Sequence, residues 1–91
     1  MATSLNFTQN TPGQWEATCT STGDRMAVHI SRATKGPLNV YGSIDGLEKK
    51  FLQNIGSGMD KDVIFEIDVP ADVEITIISF SEVTEAKIVG S

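Results

Sequence analysis

His29 and Cys19 are the strongest candidates for catalytic chemistry in this sequence, and each residue type occurs once. A Ser-His-Asp arrangement needs a serine on a sharp turn, and no Gly-x-Ser-x-Gly segment is present to supply one. Cys19 alternates with Trp15 and Ala17 on what we predict is the inner face of a strand, where a free thiol behaves as a small apolar side chain. No cation lies beside Cys19 in the sequence to lower its pKa. The sequence therefore predicts a protein that is not an enzyme.

Paired carboxylates could act as acid and base, or could hold calcium. Glu66 and Asp68 alternate with apolar residues, so we predict that they share the polar face of one strand. Asp60 and Asp62 resemble the start of a calcium loop, but the later oxygen ligands and the closing glutamate of an EF-hand are missing. A glycosidase would need a deep cleft between two carboxylates, and a small sandwich offers little depth. We therefore expect these acids to face solvent, and we expect no metal and no cofactor.

Carbohydrate binding would require an exposed aromatic ring that can stack on a sugar. Trp15 is in register with Ala17, which predicts an inward position. Tyr41 instead shares the polar face of its predicted strand with Asn39 and Ser43, whose side chains can form hydrogen bonds beside the ring. A carbohydrate-binding module with Tyr41 as the stacking platform is therefore one alternative function.

The length and charge of the chain limit the remaining classes of function. Its 91 residues predict a single domain over residues 1–91, and one cysteine excludes an internal disulfide and a multi-cysteine zinc site. Residues 1–50 carry five Lys or Arg and four Asp or Glu, whereas residues 51–91 carry two and eight, so the second half supplies the net charge of −5. Because an acidic surface repels phosphate, we expect no direct binding to nucleic acid. The same charge could steer the protein toward a basic partner.

The amino-terminal residues carry neither the basic region nor the apolar run of a secretory signal, so we expect the protein to stay in the cytoplasm. No apolar run approaches the roughly 20 residues that cross a bilayer as a helix, and we therefore expect no membrane role.

Apolar residues recur at every second position in short runs, which is typical of β-strands. The alternation is cleanest over residues 63–69, and Asp45-Gly46 predicts a tight turn because both residues tolerate positive φ. The segment from Leu47 to Ile55 fits either a helix face or a strand, and we favour a strand. Turn signals arrive every 8 to 12 residues with no amphipathic helix between them. The sequence therefore predicts an all-β fold, a small antiparallel β-sandwich or jelly roll of about seven or eight strands.

Residues 73–80 depart from strict alternation. Val73, Ile75 and Ile77 face one way, while Ile78 and Phe80 face the other, so both faces of this segment carry apolar groups. Either a loop covers the second face of a central strand, or Ile78 and Phe80 form an exposed apolar patch used in docking or self-assembly.

Several segments of the chain together carry a resemblance to a known group of proteins. They are Gln14-Trp15, Thr20-Ser21-Thr22-Gly23-Asp24, Gly36-Pro37-Leu38-Asn39-Val40-Tyr41-Gly42-Ser43-Ile44-Asp45-Gly46, Val69-Pro70-Ala71 with the following Val73-Glu74-Ile75-Thr76-Ile77, and Ala86-Lys87-Ile88. The third segment contains a strand that ends in a Ser-x-Asp-Gly hairpin, and the fourth contains a later Pro-Ala turn. In these segments the chain resembles the small all-β virion-associated proteins of tailed bacteriophages and prophages, which include head-decoration and accessory structural proteins.

The resemblance implies a non-enzymatic structural or assembly protein, a capsid decoration or head/tail accessory, that acts through protein–protein interfaces. The partners that the resemblance implies are a phage capsid or other virion protein, and copies of this protein in an oligomer such as a trimer. The location that it implies is the virion, assembled in the host cytoplasm. We place the interface at Ile78 and Phe80, with Glu66, Asp68 and Glu74 as an acidic edge that faces solvent or meets a basic shell protein. Besides the carbohydrate-binding module, a second alternative is a small acidic inhibitor of a host protein.

Overall fold

In this computed structural model, the structure describes residues 3–34, 36–55 and 61–90, and all regular secondary structure in that part of the chain is β. The described residues form nine strands: β1 (Thr3–Ser4), β2 (Thr8–Thr11), β3 (Gln14–Thr20), β4 (Met26–Arg32), β5 (Leu38–Ser43), β6 (Lys50–Ile55), β7 (Asp62–Ile67), β8 (Glu74–Ser79) and β9 (Val83–Val89). Asp60, one of the two acids considered for a calcium loop, lies outside the described residues. No helix of a length and hydropathy suited to crossing a bilayer occurs among the residues that are described.

The strands form two antiparallel sheets. One has four strands in the order β1-β9-β4-β7, and the other has five in the order β2-β3-β8-β5-β6. The pairs β5–β6, β4–β7, β3–β8 and β1–β9 are nested around the β5–β6 connection, as in one long hairpin. This hairpin is rolled up so that β9 also pairs with β4 and β8 with β5, which is the jelly-roll arrangement. The all-β sandwich predicted from the sequence is therefore confirmed.

The period-two pattern of the sequence decides which side chains enter the core. In β4, for example, Met26, Val28 and Ile30 are fully buried, whereas His29 between them is exposed. Equivalent inward rows from the other strands complete the core between the two sheets. The buried apolar residues are Leu5, Ala17, Met26, Val28, Ile30, Leu38, Val40, Val63, Ile67, Val73, Ile75, Ile77, Ala86 and Ile88.

Leu5 and Phe7 alternate with polar residues in the sequence, as in a strand, but the structure has two short strands on either side of them instead. Leu5 and Phe7 lie between β1 and β2, where the chain passes from the four-stranded to the five-stranded sheet. Leu5 is still buried, and its backbone N–H donates to the carbonyl of Ala86 at 3.0 Å. The side chains of Leu5 and Phe7 therefore pack in or against the core although neither residue is in a strand. The two short strands on either side of them explain why the strand count exceeds the prediction.

The ambiguous segment from Leu47 to Ile55 contains a strand, as we favoured, but only from Lys50 onward. The strand is not regular, since Gln53 is opposite Val40 and Phe51 is opposite Tyr41, which leaves Leu52 as an extra residue in β6. This β-bulge changes the direction of the side chains on either side of it.

Arg32 is a buried charge that the sequence analysis did not identify. It ends β4 and is only 3% exposed. Its Nη1 donates to the carbonyl of Gly36 at 2.7 Å, and its Nε donates to the carbonyl of Lys61 at 3.3 Å. Burial lowers the pKa of the Arg32 guanidinium from its ordinary value.

Three connections meet at one end of the sandwich. They are β3–β4 (residues 21–25), β5–β6 (residues 44–49) and β7–β8 (residues 68–73), because β3, β5 and β7 all end on this side. The Asp45-Gly46 turn predicted from the sequence lies here, with φ angles of 53° and 75°. Val73 precedes β8, and Glu74 is its first residue.

Candidate functional site

An apolar groove of about 550 Å³ lies at this end, between the β5–β6 and β7–β8 connections. We define the apolar groove by six side chains: Ile44, Leu47, Leu52, Val69, Pro70 and Val73. Leu47 is 71% exposed and Ile44 is 56% exposed, so part of this apolar surface faces solvent. A contiguous exposed apolar surface of this kind is typical of sites that bind another molecule.

The Asp45-Gly46 turn produces the first wall of the groove. The backbone N–H of Leu47 donates to the carbonyl of Ile44 at 3.1 Å, which closes a four-residue turn around the two residues of positive φ. Ile44 and Leu47 are therefore the flanking residues of a tight turn. A tight turn holds these two large side chains at the protein surface, where no strand can draw them into the core.

The bulge in β6 supplies the floor. A Cβ atom at Gly42 would lie 3.0 Å from Cδ1 of Leu52 and 3.3 Å from Cγ1 of Val73, closer than side chains normally pack. Glycine at this position therefore allows Leu52 and Val73 to approach the backbone of β5. The groove floor depends on the absence of a side chain at Gly42.

Ser21 holds the second wall in place. Its hydroxyl donates to the carbonyl of Pro70 and accepts the N–H of Val73 at 2.9 Å. Its backbone adds two bonds of 2.9 Å, to the carbonyl of Val73 and from the N–H of Asp72. Ser21 is only 3% exposed, so this group of bonds is shielded from water. The sequence analysis included Ser21 only as part of a turn and did not predict this role.

We call Asp45, Asp72 and Glu74 the acidic rim of the groove, because each directly adjoins in the chain a residue that lines it. Asp45 and Asp72 are exposed and have no ion-pair partner among the described residues. Glu74 accepts only a long contact of 3.5 Å from the hydroxyl of Ser43. The two charged residues that line the groove itself, Glu48 and Lys50, have opposite charges and lie 3.9 Å apart. Negative charge therefore exceeds positive charge around the opening.

The predicted interface residues Ile78 and Phe80 lie away from the groove. Ile78 is half-buried on the outer face of the five-stranded sheet, between Glu16 of β3 and Asn39 of β5. Phe80 follows the end of β8, at the opposite end of the sandwich, and is 38% exposed. The two residues therefore lie outside the groove, and an interface at Ile78 and Phe80 stays a prediction.

The three acids of the predicted acidic edge lie on different sheets. Glu66 is exposed in β7 of the four-stranded sheet, and Asp68 follows that strand. Arg25 approaches both of them, at 3.3 Å from Glu66 and 3.9 Å from Asp68, and so partly neutralises their charge. Glu74 instead begins β8 in the five-stranded sheet. Asp68 precedes Val69 and Glu74 follows Val73, so both acids adjoin residues that line the groove.

Tyr41, Asn39 and Ser43 share the outer side of β5, as predicted. Tyr41 meets Phe51 of β6 edge to face, with ring centroids 5.9 Å apart and an interplanar angle of 80°. Asn39 accepts a hydrogen bond of 2.5 Å from the amide nitrogen of Asn54. Phe51 is 56% exposed, so this surface has a second ring that the sequence analysis did not consider. The β6 bulge explains the omission, because it places Phe51 opposite Tyr41.

Thr76 lies at the centre of the same outer surface, between Thr18 of β3 and Tyr41 of β5. It is 1% exposed, and its hydroxyl has no hydrogen-bond partner among the described residues. Nearby, the Lys49 ammonium lies 3.7 Å from the Glu16 carboxylate. Glu16 is in β3, and Lys49 directly precedes β6. Because β8 and β5 lie between β3 and β6 in the sheet, the ion pair must extend across the two strands that carry Thr76 and Tyr41. We call five residues of this surface, Glu16, Tyr41, Lys49, Phe51 and Thr76, the outer sheet face.

The residues considered for catalysis are far apart in the fold. His29 is exposed on the outer side of β4, opposite Ile64 and Lys87 of the flanking strands. Cys19 is half-buried in β3 and packs against the core, and burial raises the pKa of its thiol. Trp15 is on the same inner side of β3, opposite Ser79, but is only half-buried. Within residues 3–34, 36–55 and 61–90, no three His, Cys, Asp or Glu side chains are close enough together to hold a metal ion.

Comparisons with protein-family models, with curated proteins and with solved structures give no match for this chain. The two surfaces that could bind another molecule are the apolar groove and the outer sheet face. The apolar groove offers exposed apolar contact area with an acidic rim, and the outer sheet face offers aromatic rings beside an unpartnered hydroxyl.

Proposed function

We propose that this protein is a non-enzymatic structural or assembly component of a tailed-phage virion, as a capsid decoration or head/tail accessory, and that the apolar groove docks it onto a shell protein. The observation that carries the proposal is the groove itself, in which exposed Leu47, Ile44 and Leu52 form one continuous apolar surface. Docking would remove these side chains from water, which stabilises a complex by roughly 25 cal/mol per Å² of apolar surface buried.

The charge around the groove specifies the chemistry of the partner. Asp45, Asp72 and Glu74 adjoin lining residues in the chain, and the described residues do not neutralise their charge by ion pairs. The complementary surface is a large apolar side chain that enters the groove, flanked by Lys or Arg residues that face the rim. The partner is therefore a virion shell protein with a basic docking surface.

Two further considerations support the virion assignment. The jelly roll is an architecture of viral capsid proteins, although it also occurs in lectin domains, so the fold favours the assignment without being specific for it. The sequence segments that resemble phage virion proteins include the Ser43-Ile44-Asp45-Gly46 hairpin, which forms one wall of the groove. Copies arranged by the symmetry of a shell, as monomers or as a closed oligomer such as a trimer, would bind firmly through individually weak contacts.

The test is cosedimentation of the purified protein with shells assembled from the major shell protein of the same genome. Leu47→Ser removes a groove side chain, and Ile64→Ser is the matched control because Leu47 and Ile64 are both 71% exposed but Ile64 lies on the other sheet. We expect the wild type and Ile64→Ser to sediment with the shells and Leu47→Ser to remain in the supernatant. Binding should also weaken as NaCl rises from about 50 to about 500 mM, because salt screens the acidic rim.

Equal binding by Leu47→Ser and Ile64→Ser would overturn the groove as the docking site. Failure of the wild type to bind the shells at low salt would overturn the virion function. Both variants change exposed side chains, so circular dichroism should show the wild-type fold in each of them.

A further inference from the structure

We propose that the outer sheet face binds a neutral sugar ring of a glycan, centred on Thr76 and Tyr41. This inference goes beyond the proposed docking function, because it involves none of the six side chains that define the apolar groove. The two proposals can therefore fail separately.

The hydroxyl of Thr76 is the first observation that points to a ligand. Buried hydroxyl groups nearly always form hydrogen bonds, and the buried Ser21, Ser79 and Ser81 each form at least two. Thr76 is equally buried but has no partner within the described part of the chain. An unpartnered hydroxyl destabilises the free protein, and a ligand hydroxyl that reaches Thr76 would remove that cost.

The aromatic pair beside Thr76 is the second observation. Tyr41 is the cross-strand neighbour of Thr76, and Phe51 is the next neighbour outward. Phe51 is 56% exposed and half-buried Tyr41 adds a phenolic hydroxyl. The apolar face of a pyranose ring packs on exposed aromatic rings, while its hydroxyls need polar groups at the side, and this surface provides both.

The charged pair on this face indicates that the ligand is neutral. Lys49 and Glu16 cancel one another, so the face offers one strong donor and one strong acceptor without net charge between them. A phosphate or carboxylate ligand would meet Glu16 and the nearby Glu74, whereas sugar hydroxyls can accept from Lys49 and donate to Glu16.

The same ion pair must open for the ligand to reach Thr76. Glu16 lies in β3 and Lys49 lies just before β6, so their partly exposed side chains, 3.7 Å apart, meet over the two strands between them, one of which carries Thr76. Ion pairs that are partly exposed to water contribute little to stability, so displacing Lys49 costs little. A sugar that binds the Lys49 ammonium, the Glu16 carboxylate and the Thr76 hydroxyl would replace the contact that it breaks.

The test is titration of the full chain with cellohexaose, maltohexaose and chitohexaose, followed by amide chemical shifts in NMR spectra. We expect at least one of these neutral glycans to give saturable shifts in β5 and β8. Thr76→Val should raise its Kd roughly threefold to tenfold, since one hydrogen bond is lost, while Thr76→Ser should keep the wild-type Kd. Thr18→Val is the matched control, because exposed Thr18 lies directly opposite Thr76 in β3.

Tyr41→Leu separates ring stacking from simple apolar contact, and it should also raise the Kd because the aromatic face is lost. The proposal is overturned if none of the three glycans gives saturable shifts at about 10 mM, or if Thr76→Val and Thr18→Val bind equally well. Leu47→Ser should bind sugar as the wild type does, so loss of shell docking in that variant leaves the sugar site testable.

Discussion

Replacing Thr76 with valine should stabilise the free protein, although Thr76 is among its most buried residues. Valine has nearly the same shape as threonine and carries a methyl group in place of the hydroxyl. The Thr76 hydroxyl has no partner among the described residues, so the substitution breaks no hydrogen bond within that part of the protein. What it removes is the cost of holding an unpartnered hydroxyl away from water.

The size of the effect follows from the burial of the side chain. Thr76 is 1% exposed, so nearly the whole desolvation cost of the hydroxyl applies, and mutational data place that cost at about 1 to 3 kcal/mol. We expect Thr76→Val to raise the free energy of unfolding by about 1 to 2 kcal/mol. For a domain of this length, that corresponds to an increase in Tm of about 5 to 12 °C.

Thermal and urea unfolding of the purified protein, followed by circular dichroism, would measure the change. Thr18→Val again serves as the control, because it introduces the same change in strand propensity at an exposed position of the neighbouring strand. A Thr76→Val variant that is less stable than Thr18→Val would refute the reasoning, since it would mean that the hydroxyl has a stabilising partner in the free protein.

Two further predictions concern Ser21 and Cys19. Ser21→Ala should lower the free energy of unfolding by about 2 to 4 kcal/mol in urea titrations, because the carbonyl of Pro70 and the N–H of Val73 lose their side-chain partner; a change below about 0.5 kcal/mol would contradict this. Burial raises the pKa of the Cys19 thiol, so its thiolate fraction at about pH 8 should be smaller in the native protein than in urea. Iodoacetamide should therefore alkylate native Cys19 more slowly, and the difference should narrow as the pH rises past the native pKa; equal rates at about pH 8 would show that Cys19 is not protected. Since the native state retains the thiol proton, the contribution of Cys19 to stability should decline as the pH rises from its unfolded to its native pKa.

Local sequence patterns were sufficient to predict the longer strands. The alternation over residues 63–69 predicted a strand with one buried side, and β7 has that form because successive side chains of a strand point to opposite faces. The turn at Asp45-Gly46 was also predictable, since its positive φ angles depend on the two residues themselves. Tyr41 could likewise be placed with Asn39 on one side of β5 without knowing which strands flank it.

Both proposed sites depend on contacts between residues that are distant in the sequence. The groove joins Leu47 and Leu52 to Pro70 and Val73, and Ser21 holds the second wall across about fifty residues of chain. No local pattern reveals the bulge that leaves Leu52 unpaired and places Phe51 opposite Tyr41, because a bulge is a property of the pairing between two strands.

The sequence by itself therefore determined where most of the longer strands lie and which of their sides is apolar. The tertiary structure decided which strands are neighbours, and so decided that Thr76 has no hydrogen-bond partner within the described chain and that Ile78 and Phe80 lie outside the groove. The physical reason is that side-chain alternation acts between adjacent residues, whereas strand pairing and sheet packing depend on the whole chain.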